Sequence, residues 1–144
     1  MQLRVRTPEP GDAGELAELA GQLGYPSSPD QIRRRVADLE AREDHFVALA
    51  LTPDNKPVGW VHGYLSLRLQ SDSFAEIGGL VVAENHRGRG IGALLLGAVE
   101  EWARSKNLTK VRVRSNVIRG RAHGFYLQHG YRQGKTSHVF DKSL

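Results

Sequence analysis

Hydrophobic and polar residues along the chain change their spacing several times, and each change predicts an element. Leu3 to Arg6 alternates apolar and basic residues, as a half-buried strand does, and Pro8-Glu9-Pro10-Gly11 ends it. Asp12 with Glu15 three residues later predicts a helix N-cap, and Leu16, Leu19, Ala20 and Leu23 recur at helical spacing until Gly24. Ser28-Pro29-Asp30-Gln31 is a second start, with an N-cap, proline at the first helical position and Gln at the third, ahead of Ile32, Val36 and Leu39.

From His45 the period shortens to that of strands. Phe46 to Leu51, the turn Pro53-Asp54-Asn55-Lys56 and Val58 to Leu67 predict an antiparallel hairpin. Phe74 to Val82 predicts another strand, and Gly78-Gly79 inside it suggests a bulge or a close backbone approach. Ile91, Leu94, Leu95, Val99 and Trp102 return to the helical period through about Lys106, and Val111 and Val113 alternate with basic residues in a following strand. Strand, helix and strand in this order predict a crossover and parallel pairing. Ala122, Phe125 and Tyr126 suggest a short helix stopped by Gly130, and Val139-Phe140 a last strand. The expectation is one α/β (α+β) domain over residues 1–144.

Composition supports a globular reading. A chain of 144 residues can bury roughly 70% of its unfolded surface, and 40% hydrophobic with 25% charged residues is ordinary for a globular protein. The sequence contains no cysteine, which removes disulfides, thiolate nucleophiles and cysteine-bound zinc. No apolar run reaches the length of a membrane span or a signal peptide, so a cytoplasmic protein with no membrane partner is expected. A net charge of +4 favours anionic partners, yet no aromatic platform or recognition helix accompanies the arginines, and nucleic acid is not expected as a partner.

Chemistry concentrates after the predicted strand ending Leu80-Val81-Val82. There Arg87-Gly88-Arg89-Gly90-Ile91-Gly92 runs into an amphipathic helix. Glycines allow a backbone to approach an anion closely, and the N–H groups of a helix's first turn point at phosphate oxygens. Arg87 and Arg89 add positive charge; a glycine-rich turn with solvated arginines is the plainer alternative. The turn is not the Gly-x-Gly of a dinucleotide fold, which follows the first strand, nor a P-loop, which needs Gly-Lys-Ser/Thr. Six histidines lack a metal-binding spacing, His123 and His129 lying on different helix faces, and no metal is expected. No Gly-x-Ser-x-Gly supports a serine hydrolase.

Arg87, Gly90 and Gly92 match an Arg/Gln-x-x-Gly-x-Gly/Ala motif, and on these residues the chain resembles the GNAT superfamily of acetyl-CoA-dependent N-acetyltransferases. The resemblance extends through Leu80-Val81-Val82, Asn116, His123, Phe125-Tyr126 and Gly130-Tyr131, and the order of elements also looks like the family's. It implies a mixed, splayed central sheet flanked by helices. A bulge in the fourth strand parts it from the fifth, and the pantetheine arm of acetyl-CoA lies in the gap. By the same resemblance Leu80, Val81 and Val82 bind pantetheine and the acetyl carbonyl, while Arg87, Gly88, Arg89, Gly90, Ile91, Gly92 and Ala93 bind the pyrophosphate.

Asn116 resembles the family's side-chain contact to the cofactor, or it caps the end of a strand. Tyr126 resembles the acid that protonates the leaving thiolate, with a core aromatic as the alternative; adjacent helical positions point about 100° apart, so Phe125 and Tyr126 do not share a facet. Glu76 is the candidate base, although it could be a solvated strand residue or an arginine's partner. Many relatives have a second acidic residue where this chain has Gly78, and His62 could substitute. The resemblance implies direct acetyl transfer to a primary amine, of a small molecule or of a protein, and a possible homodimer. A non-catalytic acyl-CoA sensor is the alternative of another class. Acceptor contacts are expected from residues 24–40 and 64–76 and from the C-terminal strands. Arg33-Arg34-Arg35 there could attract an acidic acceptor or be a solvated helix face.

Overall fold

A computed structural model describes residues 2–114 and 120–144 of the chain. Two compact units account for them, residues 1–113 and 114–144. The first contains a five-stranded mixed sheet in the order β1-β2-β3-β4-β5. Its strands are β1 (Arg4–Arg6), β2 (His45–Leu51), β3 (Pro57–Ser66), β4 (Phe74–Val82) and β5 (Val111–Val113). The first four are successively antiparallel, and β4 pairs β5 in parallel, as the strand-helix-strand order predicts. The helices are α1 (Ala13–Leu23), α2 (Pro29–Glu40) and α3 (Ile91–Ser105).

Local chemistry explains the element ends. Ser28 and Gln31 exchange hydrogen bonds, the Gln31 N–H donating to Ser28 Oγ at 3.1 Å and the Ser28 N–H to Gln31 Oε1 at 2.9 Å, so the predicted capping box holds. Asp12 departs from the expectation. It precedes α1 in helical geometry and makes no side-chain cap to it. Its carboxylate instead accepts from Arg6 Nη1 and Nη2 at 2.7 and 2.9 Å and from the Glu9 N–H at 2.7 Å, tying β1 to the 3₁₀ turn Pro10–Asp12. The guanidinium of Arg6 holds this carboxyl below its ordinary pKa, outweighing the opposing effect of burial.

Strand alternation assigns the two faces of the sheet. Gly59 and Gly63 lie on the face covered by α3, where a β-carbon on Gly59 would stand 3.0 Å from Leu95 Cδ1 and one on Gly63 3.2 Å from Val99 Cγ1. By register Ala48, Ala50 and Val61 share that face, so small residues seat the buried row Ile91, Leu95, Val99 and Ala103. Phe46 stacks on Trp102 at the far end of the same helix, ring centroids 5.6 Å apart. The opposite face carries Val58, Trp60, His62 and Tyr64; α1 packs there with Leu23 near Trp60 and Gly79, and α2 reaches β2.

The second unit contains α4 (Gly120–Gln128). Gly130 follows it at φ +88°, and the Tyr131 N–H donates to the Tyr126 carbonyl at 3.0 Å, closing the helix as the sequence expects. The expected last strand at Val139-Phe140 is not formed; residues 132–144 take no regular secondary structure. A strand exists by sharing ladder hydrogen bonds, and two adjacent apolar residues in a polar stretch have no such partner among the described residues.

Gly59 tests how α3 is seated. A β-carbon there would also lie 2.8 Å from the Val81 carbonyl oxygen, a backbone atom that cannot swing aside. Gly59→Ala is expected to lose about 2–3 kcal/mol in urea unfolding through overpacking. Gly97→Ala, on α3 with open space around the new carbon, is expected to gain about 0.5–1 kcal/mol.

Candidate active site

The site begins with a one-residue irregularity in β4. Tyr64 faces Glu76 and Gly63 faces Ile77, but His62 faces Gly79, so Gly78 is an extra residue opposite β3. This is the bulge expected at Gly78-Gly79. Before it, Ala75 directs its N–H to the Lys110 carbonyl of the β5 side at 3.0 Å. After it, the Ala83 N–H donates to the Val58 carbonyl at 2.8 Å, and the antiparallel alternation then gives Val81 to Trp60. Leu80 and Val82 are left facing the side away from β3. The β4–β5 pairing ends at Ile77–Val113, so on that side Leu80 and Val82 have no strand partner among the described residues. The parting of the two strands supplies free backbone groups where pantetheine is expected. Val81, expected beside them, spends its backbone on Trp60 and buries its side chain.

Val82 leads through the 3₁₀ turn Glu84–His86 into the glycine-rich turn. Gly88 and Gly90 have φ of +80° and +81°, a conformation that disfavours side chains, and a β-carbon on either would point into open space. Gly90 starts α3: the Leu94 N–H donates to its carbonyl at 3.1 Å, and the N–H groups of Ile91, Gly92 and Ala93 precede that first helical bond. Arg87 and Arg89 are exposed beside them. Ile91 contributes only its N–H, because its side chain is buried against Gly59. Together these groups form a cradle for an anion at a helix N-terminus.

Upstream of the bulge, Glu76 is 7% exposed, and its two oxygens have different neighbours. The Tyr64 hydroxyl donates to Oε2 at 2.5 Å, and Arg68 Nη2 lies 3.6 Å from Oε1. Of the alternatives left open for Glu76, solvated strand residue is removed and partner of an arginine is observed. Beside this pair, His45 Nδ1 and His62 Nε2 share a hydrogen bond of 2.9 Å, and the rings of His45, His62 and Tyr64 pack with centroids 5.2–5.6 Å apart. A β-carbon on Gly78 would stand 2.8 Å from His62 Nδ1, so the bulge glycine makes room for this ring. Burial and the neighbouring His45 lower the His62 pKa to about 4.

The sequence names Glu76 and His62 but not their partners. Tyr64, Arg68 and His45 become visible only once the register across β2, β3 and β4 is known. In the second unit Tyr126 meets Phe125 edge-on, ring centroids 5.2 Å apart, and lies 5.8 Å from Tyr131, so neighbouring helical positions still bring their rings into contact. Asn116 lies outside the described residues. Among the described residues no group of three His, Cys, Asp or Glu could hold a metal ion.

A model of the acetyltransferase (GNAT) family matches residues 15–131. The chain belongs to the GNAT family of acetyltransferases. Membership makes it an acetyltransferase whose donor substrate is acetyl-CoA, and the gap beside Leu80 and Val82 with the cradle at Gly90 fits that donor. Among its GNAT relatives, the aminoalkylphosphonate N-acetyltransferase of Salmonella typhimurium is 34% identical over 125 residues, 79% of each chain. Two aminoglycoside-related GNAT structures share the fold. AAC(6')-Ih from Acinetobacter baumannii has a TM-score of 0.86 at 17% identity and 99% coverage of both chains. AAC(6')-Iy in complex with the bisubstrate analogue CoA-S-monomethyl-acetylneamine has a TM-score of 0.86 at 15% identity and full coverage of both. No described helix of this GNAT chain is long and apolar enough to cross a membrane.

The buried His62 gives a pH test. Its pKa is about 4 in the fold and near 6.5 in the unfolded chain, so the unfolded state binds more protons between these values and stability falls as pH drops through that window. Urea unfolding at pH 5 against pH 7 is expected to show a loss of about 2 kcal/mol from this group. His62→Gln should flatten that dependence; an unchanged slope would mean that His62 titrates normally.

Proposed function

We propose that the chain transfers the acetyl group of acetyl-CoA to the primary amine of a small molecule, by direct attack in a ternary complex. The observation that carries this reading is the change of backbone direction at Gly78, which turns Leu80 and Val82 away from β3 beside the anion cradle while leaving Glu76 upstream on the same strand. The 34% identical relative, named for aminoalkylphosphonate, supports a small-molecule acceptor over a protein one.

In this reading the phosphates lie on the N–H groups of residues 91–93, and the Leu80 N–H polarises the acetyl carbonyl. Glu76, directly or through water, takes a proton from the acceptor ammonium. The nitrogen lone pair then forms a bond to the carbonyl carbon, the adduct nitrogen releases its second proton to solvent, and the tetrahedral adduct collapses to the amide by breaking the carbon–sulfur bond. Tyr126 gives its phenolic proton to the departing thiolate, a role that rests on the match of Phe125-Tyr126 to the family pattern. Asn116 contacts the cofactor on the same ground.

Calorimetry with acetyl-CoA followed by thiol release over a panel of amines tests the whole reading. Binding with turnover of small amines is expected. Failure to bind acetyl-CoA would defeat it, and binding without turnover on any amine would favour a sensor of acyl-CoA. Tyr126→Phe is expected to lower kcat by roughly 10²-fold with acetyl-CoA affinity little changed, as for a lost general acid; unchanged kcat would remove Tyr126 from the reaction. Glu76→Gln is expected to cost a similar factor of about 10² in kcat/KM.

A further inference from the structure

Three cations converge on one buried ring at the start of β4. Phe74 is fully buried, and Arg68 Cζ, Lys110 Nζ and Arg112 Cζ stand 5.1, 4.9 and 4.2 Å from its ring centroid. They come from separate segments: Arg68 from the β3–β4 connection, Lys110 and Arg112 from the edge and body of β5. An aromatic ring attracts a cation over its face, but it has only two faces, and three like charges in one region repel each other. Arg68 lies 3.6 Å from Glu76, and no ion pair of Lys110 or Arg112 is found among the described residues. The cluster therefore carries more positive than negative charge while remaining reachable from solvent, Arg68 with a side chain 28% exposed and Lys110 exposed outright.

The donor's phosphates cannot be the missing anion. From Phe74 to Val82 the strand runs about 26 Å at roughly 3.3 Å per residue, and the phosphate cradle lies beyond Val82. Glu76, by contrast, is two residues from Phe74 on the same face and touches Arg68 through its carboxylate. An amine held at Glu76 places a group two or three carbons away among these cations.

We infer that Arg68, Lys110 and Arg112 form an anion-binding subsite for the acceptor, so that the preferred acceptor is a small primary amine carrying a compact phosphonate or carboxylate. The inference rests on the small-molecule amine reading and deepens it. The same field repels polycationic amines, which separates acidic amines from polyamines and amino sugars as substrates.

The test uses three amines of matched length, 2-aminoethylphosphonate, β-alanine and propylamine, on the wild-type protein and on Arg112→Gln, Arg68→Gln and Arg112→Lys. In the wild type, kcat/KM is expected to be at least tenfold higher for one of the two acidic amines than for propylamine, and the better of them identifies the anion. Either Gln variant is expected to shrink that preference at least tenfold, mostly through KM, with Arg112→Lys recovering part of it. Equal kcat/KM for all three amines in the wild type, or a preference untouched in both folded Gln variants, overturns the subsite while leaving amine acetylation standing. Propylphosphonate, which has no amine, provides a readout without turnover. Its calorimetric binding to the wild type, lost in Arg112→Gln or Arg68→Gln, supports the subsite even if no amine is acetylated; absence of both propylphosphonate binding and acidic-amine preference sinks it.

Discussion

The one-residue bulge at Gly78 is the constraint on which the site depends. A strand alternates its backbone groups between its two neighbours, and a single extra residue reverses which neighbour each later residue serves. Ala75 serves β5 and the residues past Gly78 are shifted by one, so Leu80 and Val82 meet the side where β5 has ended. Without that shift, Val81 would face the gap and its neighbours would be consumed by β3. The extra residue must also be small, because the His62 ring occupies the space a side chain would need.

What local chemistry determines is legible in the sequence. The Ser28 capping box, the bounds of β4, the bulge within it and the turn at Gly88 and Gly90 each depend on a few neighbouring residues with restricted conformations or side-chain reach. Asp12 misled because its neighbourhood offers a stronger partner: a bidentate guanidinium from β1 outbids the orphan N–H groups of the following helix, and that partner is set by folding rather than by spacing. Val139-Phe140 misled in the other direction, since apolar character alone does not provide a ladder. The surroundings of Glu76 were illegible for a third reason. Tyr64 and Arg68 stand 12 and 8 positions before it, and only the β3–β4 register on the hairpin side of the bulge brings them together.

Along β4 the charges are arranged by position. The cradle past Val82 offers backbone N–H groups and exposed arginines to one anion, the cations around Phe74 offer a second centre of positive charge, and the buried carboxylate of Glu76 lies between the two. An isolated carboxylate at this depth would be costly to desolvate, and the Tyr64 hydroxyl and Arg68 offset that cost. His62, hydrogen-bonded to His45, flanks it, and the low pKa of His62 keeps that ring uncharged at neutral pH.

The glycine and alanine seat beneath α3 has a mechanical meaning as well as a packing one. With only small residues on the sheet side, the height of α3 above β3 is fixed by the Leu95 and Val99 side chains resting on the backbone at Gly59 and Gly63, and the N-terminus of that helix is the cradle proposed for the donor phosphates. On the proposed reading, the distance from donor phosphates to β4 is thus set by a spacer that contains none of the residues around Phe74. On that reading the β3–β4 connection and the start of β5 can vary, and with them the proposed acceptor subsite, while the donor remains gauged against the same backbone.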